Sequence, residues 1–336
     1  MKNPSLGRRA LWASAAVLLL ACAPVAQAAT PLLNVSYDVA REFYKDYDAA
    51  FVKHWKATTG EDIAVNQSHG GSSKQARAVI DGLEAEVLTM NQALDIDMVA
   101  DKGLLAADWA KRLPDHAAPT SSITVFMVRK GNPKGVKDWA DLARPGVSVV
   151  VPNPKITGNG RYTYLAAWGA AVKSGATPAQ ARERVQKIFA NVPVFDGGGR
   201  AATTTFAQRQ IGDVLCTFES EVQSIVEEFG KNFEIVYPSH TILAENPVAV
   251  VDKVVDRKGT RNQAEGYLKW LWSDEAQEIA ARHNLRPRSD KVLARHAAEF
   301  PKVSTFTVDE VFGGWRKAQA EHFNDGGVYD QISQRR

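Results

Sequence analysis

The chain has 336 residues, with 41 Lys and Arg against 38 Asp and Glu and a formal net charge of +3. So small an excess, without a basic run or a basic stripe interleaved with aromatics, leaves no electrostatic footprint for nucleic acid. Beyond residue 28 no segment reaches the ~20 apolar residues that a helical bilayer span requires.

Taken in chain order, the first element is a targeting segment. Lys2, Arg8 and Arg9 form a basic region, residues 10–20 an apolar one, and Ala26-Gln27-Ala28 a small-residue cleavage site, so residues 1–28 read as a signal peptide of an exported, periplasmic protein. A lipoprotein reading of Leu19-Leu20-Ala21-Cys22, with Cys22 acylated, competes; the Leu directly before Ala21 is atypical and favours a soluble product. With the signal removed, Cys216 has no intramolecular partner, which excludes a disulfide framework. The roughly 300 residues that remain exceed the usual size of a single core, so two lobes are expected.

Strand-like and helix-like segments then alternate. The pattern predicts strands over 32–37, 63–67, 87–89, 123–128, 147–152, 214–218, 233–236 and 248–255. Helices are predicted over 40–58, 74–84, 162–172, 204–208, 264–272 and 275–282, with a last one from near Asp309 that carries Trp315. This is an α/β pattern with mostly parallel sheets. Two turn-rich breaks, at 113–120 and 237–247, bracket about one domain of chain. The division expected is therefore lobe 1 over 29–118 and 244–336, with lobe 2 inserted over 119–243.

Three segments combine glycine and small polar residues just before a helix. They are Ser68-His69-Gly70-Gly71-Ser72-Ser73-Lys74-Gln75, Asn153-Pro154-Lys155-Ile156-Thr157-Gly158-Asn159-Gly160-Arg161, and Asp196-Gly197-Gly198-Gly199-Arg200-Ala201-Ala202-Thr203. A helix start offers unpaired N–H groups and the positive pole of the helix dipole, so three of them suggest one shared anion. Taken singly, each is also an ordinary capped loop.

At these residues the chain resembles the periplasmic sulfate/thiosulfate-binding proteins of ABC importers. The motifs run from Leu32-Leu33-Asn34-Val35-Ser36-Tyr37-Asp38 through Val128-Arg129-Lys130-Gly131-Asn132-Pro133-Lys134, Tyr164-Leu165-Ala166-Ala167-Trp168-Gly169 and Ile211-Gly212-Asp213-Val214-Leu215 to Phe312-Gly313-Gly314-Trp315. The resemblance implies a two-lobed clamshell of the type II periplasmic-binding-protein fold, with two crossover segments. It also implies a monomer that needs no cofactor and hands thiosulfate or sulfate to the membrane permease subunits of an importer. The family pattern places ligand contacts at Asp38, Ser72, Thr157, Gly158, Asn159 and Gly199, with Ser73, Asn91, Arg200 and Phe218 beside them. Phe218 falls where sulfate-binding members carry a donating indole, and Thr157-Gly158-Asn159 replaces Ser-Gly-Gly. Both changes resemble the thiosulfate-binding branch, as do Thr89-Met90-Asn91-Gln92 and Thr203-Thr204-Thr205-Phe206. An apolar ring suits the large, weakly accepting terminal sulfur of thiosulfate, and Asn91 and Asn159 can supply donors elsewhere.

The remaining chemistry-bearing residues have plainer readings. The Asp38 side chain either pairs with Arg161 or Arg200 or caps the helix that follows. The seven histidines lack ligand spacing, so no metal is expected. Tyr162 and Tyr164 diverge on a helix and are assigned to packing. A thiosulfate sulfurtransferase using Cys216 as nucleophile is the enzymatic alternative; Cys216 sits inside a strand-like run with no adjacent base, as a buried thiol does. A receptor for another tetrahedral oxyanion is the other alternative, with phosphate disfavoured because its proton needs an acceptor that the matched donors do not provide.

Overall fold

The computed structural model describes residues 29–333; the predicted signal peptide, with Cys22, lies outside them. Twelve strands follow in chain order: β1 (Thr30–Tyr37), β2 (Ile63–Gly70), β3 (Val87–Thr89), β4 (Thr120–Arg129), β5 (Val149–Pro152), β6 (Phe195–Asp196), β7 (Val214–Phe218), β8 (Phe233–Val236), β9 (His240–Asn246), β10 (Val248–Val250), β11 (Arg286–Pro287) and β12 (Ser304–Phe306). They form two sheets. The first has the order β10-β3-β1-β2, with β1 parallel to both neighbours and β10 antiparallel to β3. The second has the order β12-β9-β4-β7-β5-β6, with β8 and β11 also paired to β4. Among the described residues no helix is long and apolar enough to cross a membrane.

The second sheet is mixed rather than mostly parallel. All four partners of β4 run antiparallel to it, whereas β5 is parallel to β6 and β7. The continuous apolar run of β5 is buried throughout, as a strand covered on both faces must be. Between the sheets the chain crosses on β4 and β9, which lie side by side with Thr120 opposite Asn246 and Ile123 opposite Leu243. The second predicted break is therefore largely a strand. Its turn residues, Pro238 and Pro247, only flank it, while Thr241 donates to the Thr124 carbonyl at 2.6 Å and Asn246 to the Thr120 hydroxyl at 3.0 Å. Tertiary pairing of this kind overrides the local signal.

Two other expectations change. The β-branched run at 248–255 is strand only to Val250; Asp252–Lys258 is a helix whose Asp252 accepts from the Ala106 N–H, Arg112 and Arg261. The C-terminal helix is broken into Val308–Phe312 and Trp315–Ala318 because Gly313 and Gly314 take φ of 69° and 100°, a region that disfavours side chains with a Cβ. The core contacts show where the C-terminal segment packs. Phe306, Phe312, Trp315, Phe323, Tyr329 and Ile332 share a core with Val149, Val151, Tyr162 and Phe218 of the second sheet. The first sheet's cores use Tyr47, Phe51, Val87, Tyr267 and Leu268 on one face and Val35, Leu88, Met90 and Val254 on the other. The segment 304–333 thus packs with the core of the second sheet.

One close contact fixes that segment. A Cβ on Gly169, within the helix Gly158–Lys173, would stand 2.2 Å from the buried Phe306 ring. Alanine inside a helix ordinarily stabilises by about 1 kcal/mol over glycine. Here Gly169→Ala is expected to reverse that sign and lower stability by about 1–3 kcal/mol through overpacking, which a urea titration of wild type and variant measures directly.

Candidate functional site

A cleft of about 300 Å³ opens between the two sheets, lined by Tyr37 and Asp38 after β1, Gly70–Ser72 after β2, Asn91 after β3, residues 156–159 after β5, Gly197–Ala201 after β6, and Phe218 and Glu221 at the end of β7. Each group follows the carboxyl end of its strand, where an open α/β sheet leaves a crevice. Helices begin at that same level: Ser72–Ile80, Gly158–Lys173, Gly199–Thr203 and Glu219–Phe229, together with the short 3-10 turn Asp38–Ala40. The N–H groups of Ser72, Ser73, Gly158, Asn159, Gly199 and Arg200 lie in first turns and have no acceptor among the described residues. What the elements converge on is a set of unpaired donors at positive dipole ends.

Nine of the ten residues singled out in the sequence line this cleft: Asp38, Ser72, Asn91, Thr157, Gly158, Asn159, Gly199, Arg200 and Phe218. Ser73 does not; its hydroxyl donates to Asp95 at 2.7 Å, which leaves only its N–H for the helix start. Thr157 lines the cleft, yet its hydroxyl donates to the Asn153 carbonyl at 2.8 Å and accepts from the Gly160 N–H at 3.0 Å. Its own N–H goes to Asn153 as well. Thr157 is therefore the cap that shapes the loop, and the open donors are its successors Gly158 and Asn159. The Asn159 side chain is engaged too, donating to Glu221 and accepting from Thr163, both at 3.4 Å.

The cations hold the walls and leave the cleft to the dipoles. The carboxylate of Asp38 pairs with Arg41 at 3.2 Å, not with Arg161 or Arg200. Arg200 is largely exposed and reaches Glu228 at 3.6 Å. Arg161 is buried and donates to the carbonyls of Pro154 and Lys155 at 3.1 and 3.2 Å, pinning the loop that presents Gly158. Burial works against its charge, which the field of Asp95 from the other side of the cleft partly restores. Tyr162 and Tyr164 are core residues, Tyr162 packing edge-on against Phe218 with ring centroids 5.6 Å apart. Among the described residues no group of His, Cys, Asp and Glu could hold a metal ion.

Glu221 is the cleft residue that sequence reasoning missed. It is buried, and its carboxyl oxygens would stand 3.3 and 3.4 Å from a Cβ on Gly199. Burial pushes its carboxyl up to about 7, and the Thr217 hydroxyl, Arg200 and the Asn159 amide pull it only partly back. The available signal was its place in the first turn of a helix, where acids complement the dipole; that common pattern does not single out a cleft. Cys216 lies within β7, fully buried, and burial pushes its thiol well above the ordinary range. A thiol held protonated and out of reach of solvent is no nucleophile.

Residues 36–286 match the family described as bacterial extracellular solute-binding protein. A thiosulfate-binding protein of Pseudomonas aeruginosa is 63% identical over 315 residues, 93% of this chain and 95% of that protein. A sulfate-binding protein of Escherichia coli is 52% identical over 326 residues, 96% and 99% of the two chains. Among solved structures, the sulfate-binding protein SubI from Mycobacterium tuberculosis superposes with a TM-score of 0.77 at 30% identity, covering 88% of this chain and all of that one. The architecture is the two-lobed type II binding-protein fold, as the resemblance implied.

One glycine stands where the two sides of the cleft come closest. A Cβ on Gly158 would lie 2.6 Å from Oδ1 of Asn91, which approaches from the first sheet. Gly158→Ala is expected to prop the cleft open and weaken anion binding there at least tenfold, about 1.4 kcal/mol. Adding Asn91→Ala removes the clash and is expected to regain part of the loss, as titration of the single and double variants reads out.

Proposed function

The chain belongs to the bacterial extracellular solute-binding protein family, and from that premise we propose that it is the extracytoplasmic receptor of an ABC importer, closing its lobes over one thiosulfate or sulfate dianion and passing it to the membrane permease. The observation that carries this reading is the convergence of unpaired first-turn N–H groups on one cleft whose lining arginine, Arg200, is largely exposed and turned to Glu228. Such donors are fixed before the ligand arrives and act at low dielectric, where a dipole counts for more than in water. Two relatives alike in sequence, named for thiosulfate and for sulfate binding, support the same class of ligand.

Several finer points belong to the same proposal. Residues 1–28 direct export and are cleaved near Ala28, with lipidation at Cys22 the lesser alternative. The working unit is a monomer. Its lobes comprise 30–118 with 247–303, and 119–246 with 304–333, joined through β4, β9 and the segment before β12. Ligand contacts come from the N–H groups of Ser72, Gly158, Asn159 and Gly199, the backbone of Asp38 and the Ser72 hydroxyl, which turns to the anion from the Met90 sulfur to which it otherwise donates at 3.5 Å. Asn91, Arg200 and Phe218 complete the wall. The sulfurtransferase alternative falls with the burial of Cys216.

One observation favours a second oxyanion. Glu221 places an acceptor at the cleft, and a monoprotonated ligand such as hydrogen phosphate needs one. Titration calorimetry with thiosulfate, sulfate, phosphate and molybdate decides among them. The expected result is tight binding of thiosulfate, sulfate or both, with phosphate far weaker; failure of the first two to bind contradicts the proposal. Ser72→Ala keeps the N–H and loses a hydroxyl, at an expected cost of about tenfold in affinity. Phe218→Trp places an indole donor where the ring now stands, and it is expected to move the affinity ratio toward sulfate. Equal losses for both anions would show that Phe218 does not set the preference.

A further inference from the structure

The C-terminal segment has a foot on each side of the cleft. Its hydrophobic residues belong to the core of the second sheet, and Trp315 stacks edge-on against Tyr162 at 5.0 Å, which in turn packs against Phe218 in the cleft wall. The next residue reaches the other way. Arg316 sends Nη1 and Nη2 to the two carboxyl oxygens of Asp101 at 2.9 and 2.8 Å, and its Nε lies 3.4 Å from Asp97. Asp97 and Asp101 are the last turn and the cap of the helix Ala93–Ala100, whose apolar residues Ile96 and Val99 belong to a core of the first sheet. Each charge answers the other: Arg316 holds the Asp101 carboxyl below its usual range, and Asp101 raises the Arg316 guanidinium.

We propose that the Arg316 fork on Asp101 and Asp97 is a latch between the lobes that sets how fast a bound anion is released. The proposal rests on the receptor reading above and adds to it a determinant remote from the anion. A single exposed ion pair is usually worth little, because solvent screens it and two side chains must be held in place. The bidentate guanidinium–carboxylate geometry is the case in which directionality adds to charge. The helix Trp315–Ala318 that carries it is short and follows Gly314 directly, and Trp315 beside it is packed in the core, so the Arg316 backbone is already positioned when the lobes meet. When the lobes part, the fork must break, whereas the Trp315–Tyr162–Phe218 contacts travel together with the second sheet.

Stopped-flow measurement on the full mature chain, with thiosulfate and sulfate as probes, tests this. Arg316→Ala and Asp101→Asn are each expected to raise the release rate about threefold to tenfold while association changes less than about twofold, as affinity differences within one interface fall mainly on release. Raising the salt concentration is expected to speed release from the wild type and to leave Arg316→Ala nearly unchanged. The exchanged pair, Arg316→Asp with Asp101→Arg, is expected to recover slow release. Wild-type release rates in both single variants would overturn the latch, and so would an exchanged pair that stays as fast as Arg316→Ala. If neither anion binds the wild type, it is the receptor reading that fails and not the latch alone.

Discussion

A helix cannot satisfy its own first N–H groups, and the rest of this structure is arranged around that constraint. Strands β1, β2, β3, β5, β6 and β7 all end at one cleft, and helical turns start there with their donors pointing inward. The sheets set the direction, because a parallel strand followed by its helix places every helix start on the same edge. The arginines are used elsewhere. Arg161 ties down the 153–157 loop through two carbonyls, and Arg129 donates to the carbonyls of Phe206 and Gly212 while stacking on the Phe206 ring. In both cases a cation meets the carbonyl ends of loops, so the chain's positive charge braces the frame that aims the dipoles.

Neutral donors have a physical advantage over lysine or arginine in such a site. They carry no charge to desolvate when the cleft is empty and lose no side-chain freedom on closure. They also require closeness, which explains why glycine is needed where backbones meet: a side chain at 158 has no space against Asn91, and one at 199 would press on Glu221 and Asn159. The raised pKa of Glu221 has its cause in burial, which disfavours the charged form. Burial, against the pull of the neighbouring donors, keeps this carboxyl from ionising fully.

Much of this was legible in the residues. Helices after the three Gly and Ser/Thr runs were legible, although they begin at Ser72, Gly158 and Gly199, two to five residues before the positions 74, 162 and 204 that the pattern gave, and strands β3, β7 and β8 fall where the β-branched and aromatic runs put them. What could not be read were outcomes of tertiary pairing. β9 lies in a stretch flanked by proline, and it is a strand because β4 supplies its partners. The C-terminal segment joins the second core because Phe306 fills the hollow that Gly169 leaves, a contact between residues 137 positions apart that no local pattern encodes. At the site, Thr157 and Ser73 carried the right residue types, but each hydroxyl had a nearer partner within the protein. Sequence names the donors; only the fold decides which remain unspent.

The central claim is that main-chain N–H groups, and no cation, bind the anion. Amide and guanidinium resonances of the nitrogen-labelled protein report this in a single titration with thiosulfate or sulfate. The account predicts that the amide protons of Ser72, Gly158, Asn159 and Gly199 move strongly downfield as the anion saturates, while the Nε–H signals of Arg161 and Arg200 stay close to their free positions. Large shifts at those guanidinium groups, with the four amides unmoved, would contradict it.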